Sequence, residues 1–215
     1  VRSSAASDVY KRQVKFTAKS TGGHASAPAQ NTPIARLASF VDEMEHHSPF
    51  KKKILPEVAA MFKTLAPYAS FGLKFVLGNL WLFGPLLKVV LPKISAQAGA
   101  MLKTTIAFTK QSGSDAYNVI PQEATLGANM RFIPHQGEKE SLELVEKVAK
   151  KHGLETEVLY SNDYSKPVDL NGEAFQVVMH VIDETFPGLA ASPYVVTGAT
   201  DAFVYQQVCK SCIRF

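Results

Sequence analysis

The 215-residue sequence predicts an α+β fold. Two helices should cover one face of a four-stranded antiparallel sheet, with an apolar helical insertion inside the unit and part of an α/β domain after it. Four short segments alternate polar and apolar residues, the period-two signature of a half-buried strand, and two longer segments repeat apolar residues at helical spacing. Their order is strand, helix, insertion, strand, strand, helix, strand, which is that of a two-layer α+β unit.

Residues 1–12 are polar and rich in small side chains, without periodicity, and 1–13 are expected to be a non-native or disordered tail. Residues 13–20 place Val14, Phe16 and Ala18 on one face and read as the first strand; 21–30 are a turn region. Asn31 or Thr32 then caps a helix with Pro33 in its first turn and Ile34, Leu37, Ala38, Val41 and Met44 on its inner face. Pro49 should end that helix, because proline disfavours helical backbone in the residue before it.

Residues 50–102 are dense in large apolar groups and punctuated by Pro56, Pro67, Pro85 and Pro92, which predicts several short helices. Lys74, Asn79, Pro85 and Lys88 interrupt the most apolar run, 71–91, and a spanning helix needs about 18 consecutive apolar residues. A buried or substrate-facing insertion is therefore expected, and membrane contact is not. Left exposed, Trp81, Leu82 and Phe83 would form the kind of patch that marks an interaction surface.

Residues 103–110 and 124–133 supply the next two strands. Residues 137–152 form an amphipathic helix with Leu142, Val145, Val148 and Ala149 inward and Gly153 as its stop. Residues 154–160 are the fourth strand. The pattern changes at Lys166 and Pro167: a helix over 173–186, a strand over 193–196, a small-residue turn over 197–201 and a helix over 202–208. The organisation is thus a tail at 1–13, an α+β unit at 14–165 with its insertion at 50–102, and a partial second domain at 166–215.

Composition excludes several classes. With 46% hydrophobic and 20% charged residues, the chain is neither disordered nor collagen-like. The net charge of +4 is mild, Lys51, Lys52 and Lys53 read as a solvated run, and no nucleic-acid motif is present. Cys209 and Cys212 have Cys-x-x-Cys spacing, but further zinc ligands at knuckle spacing are lacking, and the pair reads as coincidence. Two thiols do not fix a compartment.

The residues with chemical promise lie about a hundred apart. Gly22 and Gly23 hold His24 on a tight turn after a strand, where glycine lets the backbone pass close to a ligand. Asn118 opens the proline loop that leads into the strand carrying Arg131. An imidazole and an amide suit a carbonyl oxygen, and a guanidinium fork suits a carboxylate. Each has an ordinary alternative: a surface histidine, a turn-capping asparagine, an ion-paired arginine.

Taken in order, Gly22-Gly23-His24-Ala25-Ser26-Ala27-Pro28, the helix beginning Thr32-Pro33-Ile34-Ala35, the insertion Asn79-Leu80-Trp81-Leu82-Phe83, the stretch Asn118-Val119-Ile120-Pro121 and Thr197-Gly198-Ala199-Thr200-Asp201-Ala202 resemble the co-catalytic zinc metallopeptidase and aminoacylase family. The insertion looks closest to the branch holding carboxypeptidase S and the N-fatty-acyl-amino-acid synthase/hydrolases. The resemblance covers roughly residues 14–215 and implies a metal-binding domain interrupted by a smaller α+β lid that also forms a homodimer.

It further implies hydrolysis of an amide bond in an N-acyl amino acid or small peptide, with two zinc ions supplying the attacking hydroxide. His24 would stabilise the oxyanion, commonly in the neighbouring subunit's site, while Asn118, Arg131 and Thr200 would bind substrate. The family's zinc ligands have no counterpart among these residues, so the chain reads as an internal piece of a longer enzyme, inactive alone. Phe203 stands where the family often has arginine. The density of Phe75, Leu80, Trp81, Leu82 and Phe83 suggests a long acyl chain as ligand for the insertion. The competing reading is a non-catalytic, dimeric α+β binding module.

Overall fold

The computed structural model describes residues 2–8, 10–161, 168–196, 202–205, 208–209 and 211–213. In chain order its elements are β1 (Arg2–Asp8), β2 (Tyr10–Lys19), β3 (Gly23–His24), α1 (Pro33–His46), α2 (Pro56–Leu65), a 3-10 turn (Ala66–Tyr68), α3 (Phe71–Gly78), α4 (Leu80–Ile94), α5 (Ala96–Ala100), β4 (Thr105–Ser112), β5 (Val119–Ile120), β6 (Glu123–Phe132), α6 (Gly137–Lys151), β7 (Glu155–Ser161), α7 (Glu173–Thr185), β8 (Ala191–Val196) and α8 (Ala202–Tyr205).

The main sheet has the order β4-β6-β2-β7, antiparallel throughout. Its alternation is that of the sequence: Ala124, Leu126, Ala128, Met130 and Phe132 of β6 are buried, as are Val14, Phe16 and Ala18 of β2. Helices α1 and α6 close this face, α1 with Leu37, Phe40 and Met44 and α6 with Val145 and Ala149. Phe16, Phe40 and Phe108 meet at its centre, with ring centroids 4.7 Å apart for Phe16–Phe40 and 5.7 Å for the edge-on Phe40–Phe108 pair. Such geometries add about 0.5–1.5 kcal/mol to area burial. α1 begins at Pro33 after Thr32, and Gly153 follows α6 with φ of 66°, the left-handed cap.

At the start of the chain β1 pairs in parallel with β8, and Tyr10, Lys11 and Arg12 extend β2 opposite Phe132, Arg131 and Met130. Arg12 is 8% exposed and grips Glu138 with two bonds, Nε to Oε1 at 2.7 Å and Nη2 to Oε2 at 2.6 Å. That fork ties the sheet to the first turn of α6, where a carboxylate also suits the helix dipole.

One expectation needs correction, that the prolines break the insertion into its short helices. Pro56 does open α2, but Pro85 and Pro92 both lie inside α4. The chain breaks instead at Asn79, where the axes of α3 and α4 turn through 108° and the Asn79 amide donates to the Phe75 carbonyl at 2.8 Å. Each proline removes one backbone donor, a loss the helix tolerates, whereas the asparagine offers the chain a competing hydrogen bond. A second core, formed by Val58, Met61, Phe62, Leu77 and Leu102 with Ile133 and Val195, joins the insertion to β6's exit and to β8.

Candidate functional site

The turn that carries His24 is built from both sides. Ser20 closes it: its N–H donates to the Gln122 carbonyl at 2.7 Å, its hydroxyl donates to the Pro121 carbonyl at 2.9 Å, and the Gly22 N–H donates to that hydroxyl at 3.0 Å. Gly22 has φ of 70°, and a Cβ there would lie 2.8 Å from Gln122 Cγ and 3.2 Å from the Ile120 carbonyl. Only glycine fits without strain. The chain then pairs with β5, Gly23 opposite Ile120 and His24 opposite Val119, and the Ala25 N–H donates to the Asn118 carbonyl at 2.9 Å.

The ring of His24 is held as well as its backbone. The Ser26 N–H lies 3.2 Å from Nδ1 and the Ser26 hydroxyl 2.7 Å from it. A backbone N–H can only donate, so Nδ1 accepts and the neutral ring carries its proton on Nε2. His24 and Asn118 are both exposed, so a hydrogen-bond donor is presented at the molecular surface beside a carboxamide. Ser26 is the residue around His24 that motif reading passed over; its signal is the hydroxyl two positions after the histidine. Tyr117, fully exposed next to Asn118, extends the same rim.

His24 and Asn118 therefore come together as the sequence suggests, but Arg131 does not join them. It lies near the far end of β6 from Glu123, with Thr105 and Lys11 as its strand neighbours, on the face opposite the helices. The separation along the strand is about 26 Å at ~3.3 Å per residue. Thr200 lies outside the described residues. The five apolar residues of the insertion do not share one face either: Leu80 packs against the second core, Phe75 and Phe83 stack edge to face at 5.6 Å, and Trp81 and Leu82 point outward.

Among the described residues, no group of three or more histidine, cysteine, aspartate and glutamate side chains is placed to hold a metal ion. Cys209 and Cys212 are not joined in a disulfide; the Cys209 thiol lies 3.0 Å from the Ser211 carbonyl. The strongest polar cluster elsewhere lines a cavity of about 690 Å³ between α1 and α6, with Asp42, Glu43, His47, Lys151 and His152. There the Glu43 carboxyl is held below the usual carboxylate range by hydrogen bonds from Lys151 and His152. Those bonds clamp the two helices to each other, so the cluster is a structural fastening.

Comparison with known proteins fits this architecture. Residues 11–157 match the M20 peptidase dimerisation domain. The chain is 31% identical over 201 residues to the N-fatty-acyl-amino acid synthase/hydrolase PM20D1 of Xenopus tropicalis, covering 90% of this chain and 38% of that protein. It is 27% identical over 203 residues to the probable carboxypeptidase S-like 2 of Dictyostelium discoideum, covering 94% and 38%. The chain thus spans well under half the length of these curated relatives. Among solved structures, the M20 family metallo-carboxypeptidase Sso-CP2 of Sulfolobus solfataricus superposes with a TM-score of 0.60 at 16% identity, covering 98% of this chain and 58% of that one. A tripeptidase of Staphylococcus aureus gives 0.56 at 15%, covering 95% and 43%. At such identities the structural likeness speaks for the fold alone.

Proposed function

The chain belongs to the peptidase dimerisation domain family, and from that premise we propose that it is the lid of a zinc-dependent hydrolase that cleaves amide bonds of N-acyl amino acids or small peptides. The observation that carries this reading is the exposed ring of His24, its Nδ1 occupied by Ser26 and its backbone paired with Val119, with the next residue, Ala25, bonded to the Asn118 carbonyl. A donor fixed in this way is preorganised for negative charge developing on a carbonyl oxygen, the largest single contribution in many acyl-transfer sites. Asn118 would hold the substrate beside it, Arg131 would take a carboxylate, and Thr200 would line the pocket in the domain of residues 166–215.

The described residues do not fit a zinc pair, so on this reading the ligands of both ions belong to polypeptide other than the residues described here. The chain's own part is to orient the carbonyl, hold the proton at His24 Nε2 and join two subunits. Dimerisation also accommodates the distance between His24 and Arg131. If each lid sends His24 and Asn118 into its neighbour's active site while Arg131 serves its own, two residues of one chain need not meet.

The test is activity of the complete polypeptide on N-acyl amino acids, with and without chelation, followed by subunit mixing. His24→Ala and Arg131→Ala enzymes, each inactive, should recover about a quarter of wild-type activity when mixed, because half the dimers are mixed and one of their two sites is intact. No recovery would rule out the shared site, and no amide hydrolysis by the wild type would favour a binding module.

A further inference from the structure

We propose that the α3–α4 hairpin is a docking element for anionic lipid bilayers, lying on the membrane surface without crossing it. Among the described residues no single helix is long and apolar enough to cross a membrane, and the two that pass together by composition are bent by 108° at Asn79. The inner side of the bend is satisfied within the protein, with Leu77, Gly84 and Leu87 buried. The outer side is not: Phe71 is 89% exposed and Trp81 82%, with Phe75, Leu82, Leu86 and Val89 exposed along the same two helices.

Charge selects the occupant. Residues 58–114 contain no aspartate or glutamate, while Lys63, Lys74, Lys88 and Lys93 lie on α2, α3 and α4. These four equal the formal net charge of the entire chain, +4, and none has an ion-pair partner among the described residues. Lys74 precedes Phe75 and Lys93 precedes Ile94, so lysines are interspersed among the exposed apolar residues of the two helices. That combination, an exposed tryptophan and phenylalanines flanked by lysines, suits the headgroup boundary of a negatively charged bilayer. A single acyl chain would need a groove, and here Leu80 turns inward while Trp81 and Leu82 project. The residues that interrupt a spanning helix, Lys74, Asn79 and Lys88, lie at the bend or carry its charge.

The inference does not depend on the enzymatic reading. Trp81 is the chain's sole tryptophan, so its fluorescence reports on the hairpin directly. The 215-residue chain is titrated with phosphatidylcholine vesicles with and without about 30% phosphatidylserine, a charge density that attracts surface lysines. The expected result is a blue shift of Trp81 and quenching by brominated lipid on the anionic vesicles, reversed by high salt. Lys74→Glu/Lys88→Glu/Lys93→Glu should weaken partitioning at least about tenfold, and Phe71→Ser/Phe75→Ser should also weaken it, with circular dichroism unchanged in both.

Four results would overturn the proposal: no response to anionic vesicles; equal response to neutral ones; a concentration-dependent blue shift without vesicles, which would assign the face to a second copy; or a shift on adding a monomeric long-chain N-acyl amino acid alone, which would assign it to substrate.

Discussion

Gly22→Ala should loosen the histidine turn more than its position in a surface loop suggests. A non-glycine residue at φ of 70° costs roughly 1–2 kcal/mol in backbone strain. The added Cβ also meets Gln122 Cγ at 2.8 Å and the Ile120 carbonyl at 3.2 Å. The glutamine can swing away, but Ile120 is held in the β3–β5 bridge, so total strain of about 2–3 kcal/mol is expected. Gly137 is the control, because it has φ of 68° with nothing within 4 Å of the added carbon and carries only the first cost.

Since β3 and β5 lie outside the main sheet, the strain can be relieved by local opening before global unfolding. The sensitive readout is therefore exchange of the Ala25 amide, bonded to the Asn118 carbonyl at 2.9 Å. Its protection should fall about 30- to 150-fold, as 1.36 kcal/mol corresponds to a factor of ten, while the urea midpoint moves less. Ala25 exchange no faster in Gly22→Ala than in Gly137→Ala would refute the steric account of this turn.

Three other perturbations have defined outcomes. Phe40→Ala empties the aromatic junction of α1 with β2 and β4 and should cost about 3–5 kcal/mol in urea unfolding. Burial holds the His135 ring below its ordinary pKa while its Nε2 faces the Lys51 carbonyl at 2.8 Å. As pH falls below about 6.5 the unfolded chain takes up this proton first, so stability should rise with pH up to that value, and His135→Gln should remove that slope. The separate acid limb, where Glu43 and Glu140 are held below the usual carboxylate range, should survive: their contribution is present above about pH 4.3 and lost as pH falls through the folded values. Ser26→Ala should lower kcat of the complete enzyme by less than loss of His24 itself, and 15N shifts of the His24 ring should then show both tautomers.

Local chemistry made much of the architecture readable. The alternation of β6 is a periodic fact that needs no partner to interpret, whereas the inner face expected for α1 holds at Leu37, Val41 and Met44 but not at Ile34 and Ala38, which are exposed while Pro33 and Phe40 are buried. The turn that carries His24 was legible because Gly22 adopts a φ of 70°, a conformation that favours glycine. What stayed hidden was non-local. Arg12 looks like part of a polar tail until Glu138, distant in sequence, is placed against it. The helix running through Pro85 and Pro92 is sustained by packing, with Leu87 buried and Leu91 against the second core. Arg131 is adjacent to Asn118 only in sequence terms; a strand runs between them and carries it to the sheet's other end. Ser26 was in view, but its role is a matter of ångströms.

The turn's purpose is tested most directly by steady-state hydrolysis of an N-acyl amino acid by the complete polypeptide carrying His24→Ala. Loss of one oxyanion donor should lower kcat about 10²- to 10³-fold with KM changed only a few-fold. A kcat within about threefold of wild type, with Asn118→Ala equally silent, would contradict an oxyanion role for the β3–β5 turn.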